Sequence, residues 1–273
     1  MAFEYPGAGA LEYFPCRYGK SKLLFRGPRR DLSVPHCAAL GGNETYGRFV
    51  AEPWPILLEG RLGLPVVNFG YQNAGVDVFL NELQLTQPKH PPQLSIIQLL
   101  GACNMSNRFY AVHPRRNDRF LRASNLMRSV FSEIDFTEFN FTRHLLQALM
   151  SRAPERFEAV VAELQSAWVA RMRALLERMD GPKVLLWLGD YRDPLQGDPL
   201  GAEPVLVTSA MVEKIAPLAD QVVRVEPSML ARSAGTVGMH FAPMEEPVAG
   251  TMPGPMVHHE VAEALAPVVS KLL

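Results

Sequence analysis

Between Asn104 and Arg122 lies the chain's densest run of side chains able to hold an anion. Asn104, Asn107 and Arg108 come first, followed by His113, Arg115, Arg116, Asn117, Arg119 and Arg122, with the acidic Asp118 among them. Guanidinium groups present forked donors that match the oxygens of a carboxylate, phosphate or sulfate. The competing reading is a solvated loop whose arginines pair with Glu133, Asp135 and Glu138. The sequence leaves both open.

Four further places along the chain carry residues that could take part in chemistry. Asn43 follows Gly41-Gly42 at the end of a short apolar run. Its amide could donate to an oxyanion or a sugar hydroxyl, or simply brace the turn through its own backbone. Asn73 and Gly75 stand with Asp77 beyond a second apolar run. Asp77 is placed to cap the helix that follows, which leaves Asn73 as the pocket residue. Cys103 sits just past a third run, where a thiol beside His259 could serve as nucleophile; the bland reading is a buried structural cysteine. His258 and His259 open the last helical segment. A helix N-terminus there would depress a histidine pKa and favour the neutral base. No Cys-x-x-Cys pair or other metal-ligand spacing occurs, so neither a metal nor a cofactor is expected.

The elements that must position these groups alternate. His36 to Leu40 reads as a buried strand running into Gly41-Gly42. Pro55 to Leu62 has helical spacing and stops at Gly63. A second strand is expected over 65–70, a short helix over 76–85, and a third strand over 94–100. After an insertion-like stretch from Ala102 to about Asp135, the pattern turns helical and breaks at Pro154. One long amphipathic helix then spans 155–179, with Val160, Val161, Leu164, Trp168, Leu175 and Met179 at helical spacing. A fourth strand over 184–188, a helix over 209–218, a fifth strand over 221–225 and a closing helix over 258–272 complete the order. Strand and helix in repeated alternation, with near-continuous apolar strands, indicate an α/β protein with one parallel sheet of about five strands covered on both faces. Ligands in such sheets sit beyond the carboxyl ends of the strands. The loops after Leu40, Phe69, Leu100 and Leu188 are therefore the ones to read.

Composition narrows the function classes. The 273 residues are 48% hydrophobic, enough for one large core, and the net charge of -1 gives no global field toward nucleic acid or an anionic membrane. No apolar run is long enough to cross a bilayer, and Met-Ala-Phe-Glu-Tyr-Pro is no secretory signal. Three scattered cysteines suit reduced thiols, and a cytoplasmic location is expected.

The same loops carry a family pattern. Gly41-Gly42-Asn43-Glu44-Thr45-Tyr46-Gly47 resembles the first block of SGNH (GDSL-type) hydrolases, commonly Gly-Asp-Ser-x-Thr-x-Gly. Asn68-Phe69-Gly70-Tyr71-Gln72-Asn73-Ala74-Gly75 resembles their second block, with its oxyanion-hole glycine. Gly101-Ala102-Cys103-Asn104 resembles the third, and His258-His259 stand where the family carries its catalytic histidine. The whole chain also resembles a family of SGNH-like domains of unknown function. That resemblance rests on Arg26-Gly27-Pro28-Arg29-Arg30, the turn after the first strand, and the segment from Asn104 to Tyr110. It implies a three-layer flavodoxin-like α/β fold, with residues 1–34 as an N-terminal extension on a single domain over 35–273 and a helical insertion after strand three. The resemblance to SGNH hydrolases also implies an esterase-type activity, but Asn43 stands where the nucleophilic serine belongs. No aspartate precedes either histidine by three residues, the usual place of the carboxylate that orients the base.

Two functions stay open at this level. One is a divergent hydrolase acting on an ester or acylated glycan, with His259 as base and water or Cys103 as nucleophile. The other is a non-catalytic binding protein, a pseudoenzyme, holding a small polar or anionic molecule or a glycan. Its ligand would lie between Asn43, Asn73, Gly75, Asn104, Asn107, Arg108, Arg115, Arg116 and Arg119. Self-association through the long 155–179 helix is a third class, supported by its amphipathic pattern. No nucleic-acid or membrane partner is expected.

Overall fold

The computed structural model describes residues 10–192 and 197–273. The part of the N-terminal extension before residue 10 lies outside the described residues. The chain opens the sheet with β1 (Cys37–Gly41), turns through a single helical turn α1 (Asn43–Tyr46), and returns along α2 (Trp54–Leu62) to β2 (Val66–Gly70). Two short helices, α3 (Val76–Leu80) and α4 (Leu83–Thr86), lead to β3 (Leu94–Gln98). An antiparallel hairpin of β4 (Tyr110–His113) and β5 (Arg116–Ala123) follows. Then come α5 (Asn125–Val130), α6 (Thr142–Arg152) and the long α7 (Pro154–Arg178). The chain re-enters the sheet as β6 (Lys183–Leu188), passes through α8 (Ser209–Ile215) to β7 (Gln221–Val225), and closes through α9 (Met229–Ser233), α10 (Glu246–Ala249) and α11 (Pro255–Leu272).

The main sheet is parallel throughout, in the order β2-β1-β3-β6-β7. Counting only its own strands, that is 2-1-3-4-5, the flavodoxin-like doubly wound arrangement, whose connections reverse direction between β1 and β3. Every strand of this sheet but β7 buries both faces, because neighbouring residues split between two cores. Ala39, Ile96 and Leu186 pack toward α2 and α11, whose Trp54, Leu58, Val261 and Leu265 fill that layer. Ala38, Leu40, Ile97 and Leu185 pack toward the other layer, where α7 contributes Leu164, Trp168 and Leu175. Apolar residues on both sides of a strand leave no polar alternation, which is why these runs read as continuous in the sequence.

Residues 10–34 form no helix or sheet strand of length, yet they are tied down. Tyr18, Leu23 and Phe25 are buried in the core. The buried Arg26 guanidinium donates to the carbonyls of Tyr46, Gly47 and Ala51, at 3.1, 2.6 and 2.8 Å. One side chain of the extension thereby clamps the loop that leaves α1.

Two details differ from the sequence reading. The insertion after β3 is not wholly helical, because it begins with the β4–β5 hairpin. The last helix starts at Pro255, three residues before His258, with Gly254 as its N-cap. Pro is favoured at that first position, where its missing N–H costs nothing. His258 and His259 therefore lie past the helix opening. Among the described residues, no helix is long and apolar enough to cross a membrane.

Candidate functional site

The carboxyl ends of β1, β3 and β6 open into a cavity of about 530 Å³. It lies where the chain reversal between β1 and β3 leaves a crevice. The loop after β1 supplies Asn43 and Glu44, the loop after β2 supplies Asn73, and the loop after β3 supplies Cys103 and Asn104. Asp118 of β5, Thr142 and Arg143 of α6, and Tyr191, Arg192, Asp198 and Glu203 after β6 complete the polar wall.

Two asparagines lock each other at the rim. Asn43 Nδ2 donates to Asn73 Oδ1 at 3.0 Å, and the Asn73 backbone N–H donates to Asn43 Oδ1 at 3.2 Å. Asn73 holds this position with φ of 55°, the left-handed region that asparagine tolerates better than most residues. Gly75 allows the closure behind it. A Cβ there would lie 1.6 Å from the Asn104 carbonyl oxygen, so only glycine lets the loops after β2 and β3 meet. Its N–H donates to Asn117 Oδ1 at 3.0 Å.

Glu44 is the most constrained acid of the wall. Tyr191 Oη donates to its Oε1 at 2.7 Å, and Gln98 Nε2 donates to its Oε2 at 2.9 Å. Gln98 Oε1 accepts in turn from Thr45 Oγ1 at 2.6 Å and the Gly42 N–H at 3.2 Å. Protein surrounds the carboxyl group except where the cavity reaches it. Burial, reinforced by the nearby Glu203 charge, raises its pKa above the ordinary carboxylate value. Asp118 is also raised by burial, against the opposing charges of Arg119, Arg116 and His113. The guanidiniums are spoken for: Arg143 pairs with Asp198 and, at 3.0 Å, with Glu203, while Arg192 pairs with Asp190 at 2.9 Å. Among the described residues, four carboxylates thus face two neutralised cations across this cavity.

The expected site residues separate into three groups. Asn43, Asn73, Cys103 and Asn104 come together in the wall. Arg115, Arg116 and Arg119 stand exposed on the hairpin beside it. The rest are elsewhere or differently employed. Asn107 Oδ1 accepts from the Phe109 and Tyr110 N–H groups and braces its own turn. Arg108 pairs with Glu163 of α7 at 2.7 Å. Asp77 does not cap α3; its carboxylate accepts from the Ser106 N–H at 3.0 Å and pairs with Arg171 at 2.8 Å.

Neither terminal histidine reaches the cavity lining. His259 is exposed on α11. His258 is buried, and its Nδ1 accepts from the Trp54 N–H at 3.1 Å. Burial, with added repulsion from Arg26 and His259, lowers its pKa from 6.5 to about 3. The expected base therefore has no access to a ligand in this cleft. Cys103 does line it, but burial pushes its thiol up to about 11, so the nucleophilic thiolate is disfavoured. The cavity-lining histidine is His144, packed edge-on against Phe139 at 5.0 Å. Glu44, Gln98, Arg143, Tyr191, Asp198 and Glu203 were not singled out from sequence. The loop after Leu188 that carries three of them was marked only by its place at a strand end. No cluster of three or more histidine, cysteine, aspartate or glutamate side chains among the described residues is placed to hold a metal ion.

Fold and site together define a doubly wound α/β protein with a polar cavity at the carboxyl edge of its sheet. The chain belongs to the family described as Domain of unknown function (DUF6473), whose profile matches residues 1–273. A comparison with curated proteins finds no match. Among solved structures, the salicylyl-acyltransferase SsfX3 from a tetracycline biosynthetic pathway is similar at 12% identity and a TM-score of 0.37, over 89% of this chain. The present chain spans only 57% of that one. A putative lipolytic protein of the G-D-S-L family from Desulfitobacterium hafniense DCB-2 is similar at 11% identity and a TM-score of 0.32, over 88% of this chain and 100% of its own.

Proposed function

We propose that this protein binds a hydroxyl-rich polar molecule, of the size of one or two sugar units, in the cavity at the carboxyl edge of its sheet. The observation that carries this reading is the wall itself: the reciprocally bonded Asn43 and Asn73 stand beside the Glu44 carboxylate fixed by Tyr191 and Gln98. Amide and carboxylate groups held rigid in a cleft are the groups that orient hydroxyls. The excess of carboxylates over free guanidiniums disfavours an anion deep inside.

A second reading keeps the scaffold as a divergent hydrolase of an ester or acylated glycan. What favours it is the Glu44 carboxyl group held at the cavity wall by Tyr191 and Gln98, with a pKa that burial raises, the direction that suits a group handling protons. Water would then be the nucleophile, with Glu44 in the proton-transfer role that His259 is not placed to fill.

One experiment separates the two. Wild type and Glu44→Gln are titrated with a panel of mono- and disaccharides and their acetylated forms, with release of acetate followed in parallel. Binding without turnover supports the binding protein. Acetate release lost in Glu44→Gln supports the hydrolase. Neither binding nor release by folded wild type refutes both.

A further inference from the structure

We infer that Arg115, Arg116 and Arg119 form an anion subsite at the mouth of the cavity, so that the ligand is a polyhydroxylated molecule carrying a phosphate or carboxylate group. The inference rests on the cavity reading above and adds the acidic group to it.

Three observations place these arginines at the mouth. The Arg119 guanidinium lies over the Phe141 ring, 5.1 Å from its centroid, and Phe141 lines the cavity. Asp118, two residues after Arg116 and one before Arg119, lines the cavity as well. Asn117 Oδ1, on the residue after Arg116, accepts from the Gly75 N–H at 3.0 Å, two residues beyond Asn73. The hairpin turn thus brings its cations to the rim beside Asn73.

They are also free. Three of the carboxylates that could have neutralised them are committed elsewhere. Glu133 pairs with Arg156, and Glu138 pairs with Arg152 at 3.5 Å. Asp135 accepts from the N–H and hydroxyl of Thr137, at 2.9 and 2.7 Å. Among the described residues, Arg115, Arg116 and Arg119 form no ion pair, whereas Arg143 and Arg192 inside the cavity are paired with acids. Free guanidiniums outside and paired ones within divide the site by charge. A neutral polyhydroxyl body suits the interior, and an acidic substituent suits the rim, where forked donors recognise oxyanions best.

The test is calorimetric titration of a neutral hexose, the corresponding hexuronate and the hexose 6-phosphate at low salt. Each is titrated into wild type, Glu44→Gln, the double variant Arg115→Ala/Arg116→Ala, and Arg61→Ala as a control for charge on α2. The acidic sugars should bind wild type about tenfold more tightly than the neutral one. The double variant should lose that advantage while still binding the neutral hexose, and Arg61→Ala should keep it. Preference for the phosphate over the uronate, or the reverse, identifies the source of the anion. Equal affinity for acidic and neutral sugars in wild type overturns the subsite and leaves the cavity reading standing. An advantage that survives in the double variant also overturns it. Acidic sugars that bind through the arginines, unaffected by Glu44→Gln and with no neutral binding, uphold the subsite and refute the cavity reading instead. If no sugar binds, but vesicles of phosphatidylcholine and phosphatidylserine retain wild type and not the double variant, the arginines serve a membrane surface and the inference falls.

Discussion

His258 gives a quantitative handle on whether the histidine pair is structural. Its imidazole is buried, with Nδ1 accepting from the Trp54 backbone N–H. Burial, then the charges of Arg26 and His259, hold its pKa at about 3 against an ordinary 6.5. Between those values the unfolded chain takes up a proton that the folded chain refuses. Stability contributed by the neutral form is therefore complete above 6.5 and is lost as the pH falls toward 3. Integrating over that window, the loss relative to neutral pH is about 2 kcal/mol near pH 5 and about 3 kcal/mol near pH 4. His258→Gln keeps an acceptor for the Trp54 N–H and removes the titration. Urea denaturation of both proteins across the acid range isolates the effect, because the carboxylates titrate alike in each and cancel in the difference. The gap between wild type and variant should close, or reverse, by the stated amounts as the pH falls. Parallel stability curves would refute the buried neutral histidine and reopen a catalytic role for the pair.

Two other perturbations check the site's supports. Arg26→Met should lower stability by at least about 3 kcal/mol, since three carbonyls lose their donor in a buried setting. A denaturation midpoint near that of wild type would show that the extension does not hold the loop after α1. Cys103, with its thiol pushed up to about 11, should react with iodoacetamide near neutral pH about two orders of magnitude more slowly than a free cysteine. Mass spectrometry of the labelled protein reads this directly, and fast stoichiometric labelling at Cys103 would restore it as a nucleophile.

Four strands of the main sheet, β1, β2, β3 and β6, were legible because burial on both faces makes them short, largely apolar runs closing on or near glycine, whereas β7 exposes Gln221, Val222 and Arg224. The hairpin was not. The β5 segment Arg-Asn-Asp-Arg-Phe-Leu-Arg-Ala buries only Asn117, Phe120 and Ala123, a spacing of three instead of two, and its pairing with β4 carries register shifts. No period of two marks it as a strand. The short helix expected over 76–85 is interrupted at Asn81 and Glu82, where Glu82 caps a separate turn. Asn43, Asn73 and Asn104 could be found because they follow strand ends, and in a parallel sheet those ends converge. Glu44 went unremarked beside Asn43, since nothing local says that Tyr191 and Gln98 will hold it. Arg143 with Asp198 and Glu203 is likewise a meeting of distant segments, invisible until the chain is folded. His259 was misplaced for a simpler reason. A helix beginning three residues earlier than expected turns His258 inward to Trp54 and leaves His259 exposed.

The most direct test of the cavity reading is a crystal of the protein soaked with the tightest-binding sugar of the panel. The expected result is ligand density between the Asn43–Asn73 pair and Glu44, with ring hydroxyls within hydrogen-bond distance of those side chains. Density at another surface, or an empty cavity in crystals soaked at saturating sugar, would contradict it.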